Sequence, residues 1–479
     1  MKARINEIEI EDKEPFKNDL LDRKQYAEIL TSVISHYSGG AVIALNGEWG
    51  TGKTTFVKMW KQHLSNKGFP TIYFDAWKSD LVDDPLLPLI GNLKQAKNIS
   101  TERDDKLKKV ITNGAKILAA TAKGAATQLA KKAIGKTATE AIEGGLNELE
   151  NIFFQQIDEF ALGNQQFDDF KKDLAEYVRS LDEEKPLVYF VDELDRCNPT
   201  YAVKVLERIK HLFDIPQIIF VLSVDKLQFE ASIKGYFGSD QINAEEYLRR
   251  FIDISYNLPK PEIEKFCNSL YSYYGFEHFF NNIERSKESV FSNESYTFLN
   301  TAHYLTRFKS ITLRQLDRIF SLSSLALHEF EIKNYIFPGM YFFLVYLKIC
   351  HQNLFDKIVE KSLSIDELVK EIENLITEKM LIPYIDHKGK RYEDNNSFYY
   401  SVAQLLVTYL NNEYRTKTEL VTVTNENNNQ IIKLNFKTSK LNDTQLANCI
   451  QHFNHHYLGG DCPIDHITEK INLLNAFRR

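Results

Sequence analysis

Ala41-Val42-Ile43-Ala44-Leu45-Asn46-Gly47-Glu48-Trp49-Gly50-Thr51-Gly52-Lys53-Thr54-Thr55-Phe56-Val57-Lys58-Met59-Trp60 is the stretch that decides the fold. An apolar run, a glycine-rich loop of the form GxxxxGK(S/T) and the start of a helix follow one another without a gap. The order matters because phosphate binding needs all three parts. Glycines let the backbone curl until successive N–H groups point inward, and the helix N-terminus adds partial positive charge. Lys53 is expected to reach the outer phosphates, and Thr54 to offer its hydroxyl to Mg²⁺. The expected nucleotide-binding set is Gly47, Glu48, Trp49, Gly50, Thr51, Gly52, Lys53, Thr54 and Thr55.

Working outward, Thr71-Ile72-Tyr73-Phe74 reads as a short buried strand. Leu187-Val188-Tyr189-Phe190-Val191 and Ile218-Ile219-Phe220-Val221-Leu222 are continuous apolar runs, as expected of strands covered on both faces. A helix over Thr200–Phe213 separates them, and Phe251–Ser255 is a plausible further strand. Alternating strands and helices imply an α/β fold with a parallel sheet flanked by helices.

The chemistry gathers at strand ends. Asp192 and Glu193 follow the run that closes at Val191. Asp192 is placed to hold Mg²⁺ through water, and Glu193 to orient and deprotonate an attacking water. With the phosphate loop, this pair points to hydrolysis rather than storage of a nucleotide. Ser223 and Asp225 end the next strand, either as sensors of the terminal phosphate or as a cap for the following helix. Arg249, Arg250, Arg314 and Arg318 are candidates for an arginine that neutralises transition-state charge, in cis or from a neighbouring subunit, or for surface ion pairs.

The remaining sequence bounds the class. Net charge is −7 over 479 residues, so the chain as a whole is not a nucleic-acid glove. Five widely separated cysteines without a CxxC pair suit a reducing, cytoplasmic setting. No signal peptide is visible at Met1–Glu7, and Tyr335–Ile349 is too short to span a bilayer, which leaves it as a buried core helix. Residues 101–150 are rich in Ala, Gly and Lys, with Lys109, Lys116 and Lys123 seven apart beside a face of Ile111, Leu118, Ala122 and Leu129. That pattern is either a solvated helical insertion or a basic surface for a membrane or an acidic partner. His452, His455, His456, Cys462 and His466 fit no zinc spacing. Residues 331–479 read as mostly helical, with one β-hairpin near 420–436 turning at Asn425–Asn429.

Three blocks carry a family resemblance. They are the loop Gly47–Thr54, the strand end Tyr73-Phe74-Asp75-Ala76-Trp77, and Phe190-Val191-Asp192-Glu193-Leu194-Asp195-Arg196-Cys197 with Phe220–Asp225 behind it. Together they resemble the KAP family of P-loop NTPases over about residues 17–330. Tyr247–Phe251 and Thr312–Leu316 also fit its later blocks. The resemblance implies an ASCE-type core, in which an extra strand lies between the phosphate-loop strand and the Asp-Glu strand. It also implies a helical lid, ATP as nucleotide, and residence on mobile elements or in anti-phage systems. Arg314 resembles a sensor-type arginine of the lid. Many members carry transmembrane helices where this chain has its lysine-rich segment, so a membrane-spanning anchor is not expected here, while contact with a membrane surface through 101–150 stays open.

The expected organisation is a first core part over 1–100, a helical insertion over 101–160, a second core part over 161–259, a lid over 260–330 and a C-terminal region over 331–479. The expected function is a cytoplasmic, oligomeric ATPase whose cycle moves the lid and C-terminal region in defence against phage. The alternative is a slow nucleotide-gated switch that recruits a protein effector. A small-molecule kinase fits less well, since the second acid after Asp192 has no purpose there. Whether nucleic acid is touched stays open.

Overall fold

The computed structural model describes residues 9–37, 39–96, 103–117, 165–212, 215–308, 311–377, 380, 384–385, 391–392, 395–410, 420–426, 429–456 and 462–476. The chain divides into two compact units, Glu7–Lys260 and one that takes in Pro261–Arg479.

The first unit is built on strands β1 (Ala41–Asn46), β2 (Thr71–Asp75), β3 (Leu187–Asp192), β4 (Ile218–Val224) and β5 (Ile254–Asn257). Their order is β2-β3-β4-β1-β5, and every pairing is parallel. β4 therefore lies between the phosphate-loop strand and the Asp-Glu strand, as expected. Alternate residues of β3 enter different cores: Leu187, Tyr189 and Val191 on one face, Val188 and Phe190 on the other. Both faces are apolar, which is why the sequence shows runs instead of alternation.

Helices α1 (Lys24–Ser35) and α2 (Lys53–Asn66) cover one face through Ala27, Leu30, Ile34, Phe56, Trp60 and Leu64. Trp60 brings a polar atom into this core, and its indole N–H donates to Thr31 Oγ1 at 3.0 Å, so the buried donor is satisfied. The other face is covered by α3 (Leu86–Gly91), α4 (103–117), α5 (165–181) and α6 (Pro199–Leu212). Helices α7 (Lys226–Phe237) and α8 (Ala244–Leu248) complete the unit.

Two expectations shift. The strand expected at Phe251–Ser255 starts at Ile254. The N–H groups of Phe251 and Ile252 are instead taken by Leu248 O, closing a turn after α8. Asp253 then anchors the sheet by accepting a hydrogen bond from Val42 N at 2.8 Å. The lysine-rich segment begins as α4, whose buried hydrophobic side chains are Leu107, Val110 and Ile117, with Ile111 at the margin. Asn113 ties it to α5 by donating to Asp173 Oδ2 at 2.7 Å. Its start is thus a core helix with Lys108, Lys109 and Lys116 on the exposed side; Leu118, Ala122, Lys123 and Leu129 lie outside the described residues.

The second unit contains α9 (Ile263–Tyr273), α10 (Phe276–Phe280), α11 (Ile283–Ser286), α12 (Glu294–Phe308) and α13 (Leu313–Leu327). After them come α14 (Pro338–Cys350), α15 (Gln352–Val359), α16 (Ile365–Leu375), α17 (Asn395–Leu410), α18 (Asp443–His456) and α19 (Asp465–Ala476). α13 starts at a capping box in which Thr312 and Gln315 satisfy each other's backbone N–H groups. α14 is the apolar segment read as a core helix, and Pro338–Lys348 are all buried. Among the described residues, no helix is long and apolar enough to cross a membrane.

The hairpin is present as β8 (Val421–Glu426) and β9 (Asn429–Leu434), following a short pair β6 (Tyr384–Ile385) and β7 (Arg391–Tyr392). Its strands run closer to the turn than the asparagines suggested. Beside it, Glu373 on α16 accepts hydrogen bonds from the N–H groups of Ser439, Lys440 and Leu441 at 2.6, 2.7 and 3.0 Å. Burial pushes this carboxyl up, but the hydrogen bonds outweigh it and its pKa is lowered. A lowered folded-state pKa gives stability that is present above the ordinary glutamate range and lost as pH falls through the folded value. Urea titrations of the wild type and Glu373→Gln at falling pH should converge; curves separated by a constant amount at every pH would refute this.

Candidate nucleotide site

β1 delivers the chain to the C-terminal edge of the sheet, where Gly47 N donates to Val224 O at 3.1 Å. Gly50 and Gly52 adopt left-handed φ angles of 77° and 83°, which side chains with a Cβ rarely take. At Gly47 an added Cβ would lie 3.2 Å from Thr51 Oγ1 and 3.3 Å from the Lys53 methylenes, so a side chain there would crowd the lysine where it folds over the loop. Lys53 Nζ donates to Gly47 O and, at 3.2 Å, to Glu48 O. The ammonium is nearly buried; desolvation lowers its pKa, and Asp195, Asp225 and Asp192 pull it back up. Thr54 and Thr55 stand in the first turn of α2, where backbone N–H groups have no helical partner. Thr51 Oγ1 donates to Glu48 O at 2.7 Å, and exposed Glu48 pairs with Lys260 at 2.9 Å.

Opposite the loop, β3 ends at Asp192, which is level with Asp75 of β2 and Ser223 of β4. Asp192 Oδ1 accepts from Glu193 N and Oδ2 from the Tyr73 hydroxyl, both at 3.0 Å. Glu193 sits at φ 62°, a conformation costing a non-glycine residue about 1–2 kcal/mol and frequent at functional sites. That reversal aims its carboxylate at the loop, where Oε1 accepts from Thr54 Oγ1 at 2.9 Å across 139 residues of sequence. Burial raises the Glu193 pKa, while Arg196 and the Thr54 hydroxyl pull it down.

The remaining candidates divide. Ser223 Oγ is buried at the strand tip and has no hydrogen-bond partner among the described residues. Asp225 caps α7 by accepting from Gln228 N at 3.4 Å, and its other oxygen accepts from Trp49 N at 3.0 Å. The cap reading thus holds, with an added grip on the loop. Arg249 pairs with Glu245 and Glu246 on the surface, and Arg250 is exposed in the turn after α8. Arg314 and Arg318 are exposed on α13 of the second unit. His452 packs on Tyr400 and His466 on Phe330. Among the described residues no group of three or more His, Cys, Asp or Glu side chains is placed to hold a metal.

Sequence reading missed Asp195, Arg196 and Tyr73. Asp195 is buried and accepts from the Trp49 indole N–H at 2.6 Å and from Asp225 N at 2.8 Å, joining loop, Asp-Glu turn and β4. The signal was available in the run Asp192–Arg196, where a second aspartate follows three residues behind the first.

The residues suit a nucleoside triphosphate with Mg²⁺. The glycine cradle admits phosphates that side chains would exclude, and Lys53 supplies a positive charge. Thr54 Oγ1 and Asp192 are oxygen donors of the kind Mg²⁺ takes, and the orphaned Ser223 hydroxyl awaits a polar partner.

Two solved structures align over most of the chain. One is the Aeropyrum pernix ORC2 protein in its ADPNP-ADP complexes, at 15% identity and TM-score 0.34, covering 90% of this chain and 94% of that one. The other is Drosophila ORC bound to DNA, at 11% identity and TM-score 0.28, covering 97% and 88%. No curated protein matches the chain. The model of the KAP family P-loop domain matches residues 23–327, more than half of the sequence, and the chain belongs to that family.

Proposed function

We propose that the protein is a Mg²⁺-dependent ATPase whose catalytic groups are Lys53, Glu193 and Arg314. The observation that carries this reading is the 2.9 Å contact between Thr54 and Glu193, which joins phosphate loop and candidate base. In this reading Gly47–Thr55 bind the polyphosphate, and Thr54 and Asp192 hold the metal, which supplies charge neutralisation at the phosphates. Glu193 draws a proton from the attacking water, and Lys53 stabilises charge on the phosphates. Ser223, Asp225 and Arg250 stand as sensor candidates. Hydrolysis is coupled to movement or assembly of the region beyond 260, in a cytoplasmic oligomer acting in anti-phage defence.

Phosphate release with Mg-ATP tests the core of this. Lys53→Ala should weaken ATP binding by about 2–3 kcal/mol, as expected for losing hydrogen bonds to a charged group, and abolish turnover. Equal turnover by the variant rules the reading out. A nuclease or other toxic effector among the neighbouring genes would support the defence role.

One observation favours a slow switch instead: both Glu193 oxygens are engaged, by Thr54 and by Arg196. Single-turnover kinetics with a partner pull-down, with and without ATP, separate the two.

A further inference from the structure

Glu193 does not point freely into the site. Its Oε1 is held by the Thr54 hydroxyl and its Oε2 forms an ion pair with Arg196 Nη1. Arg196 reaches back because Glu193 reverses the chain and Leu194–Arg196 form a single 3-10 turn. The two side chains are only 25% and 13% exposed, unlike an ordinary surface pair, which is worth little and is readily screened.

The guanidinium in turn lies near two rings. Its carbon lies 6.0 Å from the Trp49 ring and 5.8 Å from the Trp77 ring, within the range of cation–π attraction. Trp49 is part of the phosphate loop and is fixed at both ends, by Asp225 at its backbone N–H and by Asp195 at its indole N–H. A chain of interactions therefore links the loop through Trp49 and Arg196 to the carboxylate of Glu193.

We propose that Arg196 is the positioning residue of Glu193, and that Trp49 and Trp77 fix its guanidinium so that the position of the phosphate loop sets that of the carboxylate. This rests on the ATPase reading for its catalytic meaning. A planar guanidinium can meet rings and a carboxylate together, whereas a lysine ammonium supplies a point charge.

Two measurements on the full chain test it. Arg196→Ala should lower kcat about 10- to 100-fold, the cost of a misplaced catalytic group, with KM changed by no more than about twofold. In a Glu193→Gln background the same substitution should lower the residual rate no further, because Arg196 acts through Glu193. Equal losses in both backgrounds, or a loss confined to KM, overturn the proposal. Arg196→Lys keeps the charge and should lose kcat as well; full activity with lysine overturns the role of the rings.

The second measurement needs no turnover. With Trp60 replaced by phenylalanine in every protein compared, indole emission reports on Trp49 and Trp77 alone. Glu193→Gln releases Arg196 and should shift that emission, and the shift should vanish when Arg196 is alanine. A shift that persists without Arg196, or no shift at all, overturns the proposal. A chain that hydrolyses no ATP yet shows the Arg196-dependent shift removes the ATPase reading and leaves the positioning role standing.

Discussion

Glu193→Gln should lower ATP turnover about 10²–10⁴-fold, the usual contribution of a positioned general base, while nucleotide binding stays intact. Glutamine keeps the shape and can still accept the Thr54 hydroxyl hydrogen that now reaches Oε1. What it cannot do is take a proton. The pH dependence gives an independent reading of the same group. Burial raises the Glu193 pKa above the ordinary glutamate value, so the active carboxylate accumulates only as pH rises through that higher value. Turnover should therefore decline on acidification before an exposed glutamate would protonate, and the decline should be absent from the residual rate of the glutamine variant. Phosphate release measured from pH 5 to 8 in both proteins checks this. A glutamine variant with full turnover sinks the assignment, and an unchanged acid limb in its residual rate moves that limb to another group.

Arg285→Ala should destabilise the second unit by about 3–5 kcal/mol, the cost of removing one partner of a buried ion pair. Arg285 is fully buried and Glu294 nearly so. The guanidinium Nη2 donates to Glu294 Oε1 at 2.6 Å, Nη1 donates to Asn334 O at 3.0 Å and also to Ile332 O, and the group lies 4.0 Å from the Phe291 ring. Alanine would strand the carboxylate and two carbonyls together. Burial already raises the Glu294 pKa, and Arg285 pulls it back down, so the variant's glutamate should become neutral in the folded state. In a domain of this size the loss corresponds to a fall in Tm of roughly 6–20 °C. Changing Glu294 to Gln as well should recover part of it, because the stranded charge is then gone. A fall below about 1 kcal/mol, as a surface pair would give, would mean that the pair is not buried in solution.

The sheet and the two halves of the site were legible because their signals are local. Each strand is an apolar run, and Gly50 and Gly52 of the loop take left-handed backbone angles that residues with a Cβ adopt only at a cost. Tyr73 was not legible as a partner of Asp192, because its hydroxyl arrives there only through the register that sets Tyr73 beside Phe190. Asp195 and Arg196 were quoted as part of a motif, yet their partners Trp49 and Asp225 come from other strand ends. The late start of β5 and the buried face of α4 were misjudged for a related reason. Periodicity marks which residues are apolar, and only the neighbouring helices and turns decide which of them the fold buries.

The place of β4 between β1 and β3 also orders events during synthesis. β1 and β2 are not neighbours in the sheet, so the phosphate loop leaves the ribosome with no strand beside its own. Nothing can seat it until residues 218–224 have appeared. At the usual pace of translation the roughly 150 residues from β2 to the end of β4 take about 10–30 s. Over that interval β1 has neither of its sheet neighbours, β4 and β5, to pair with. A truncation before residue 218 should therefore yield no nucleotide-binding fragment, however complete its phosphate loop looks on paper.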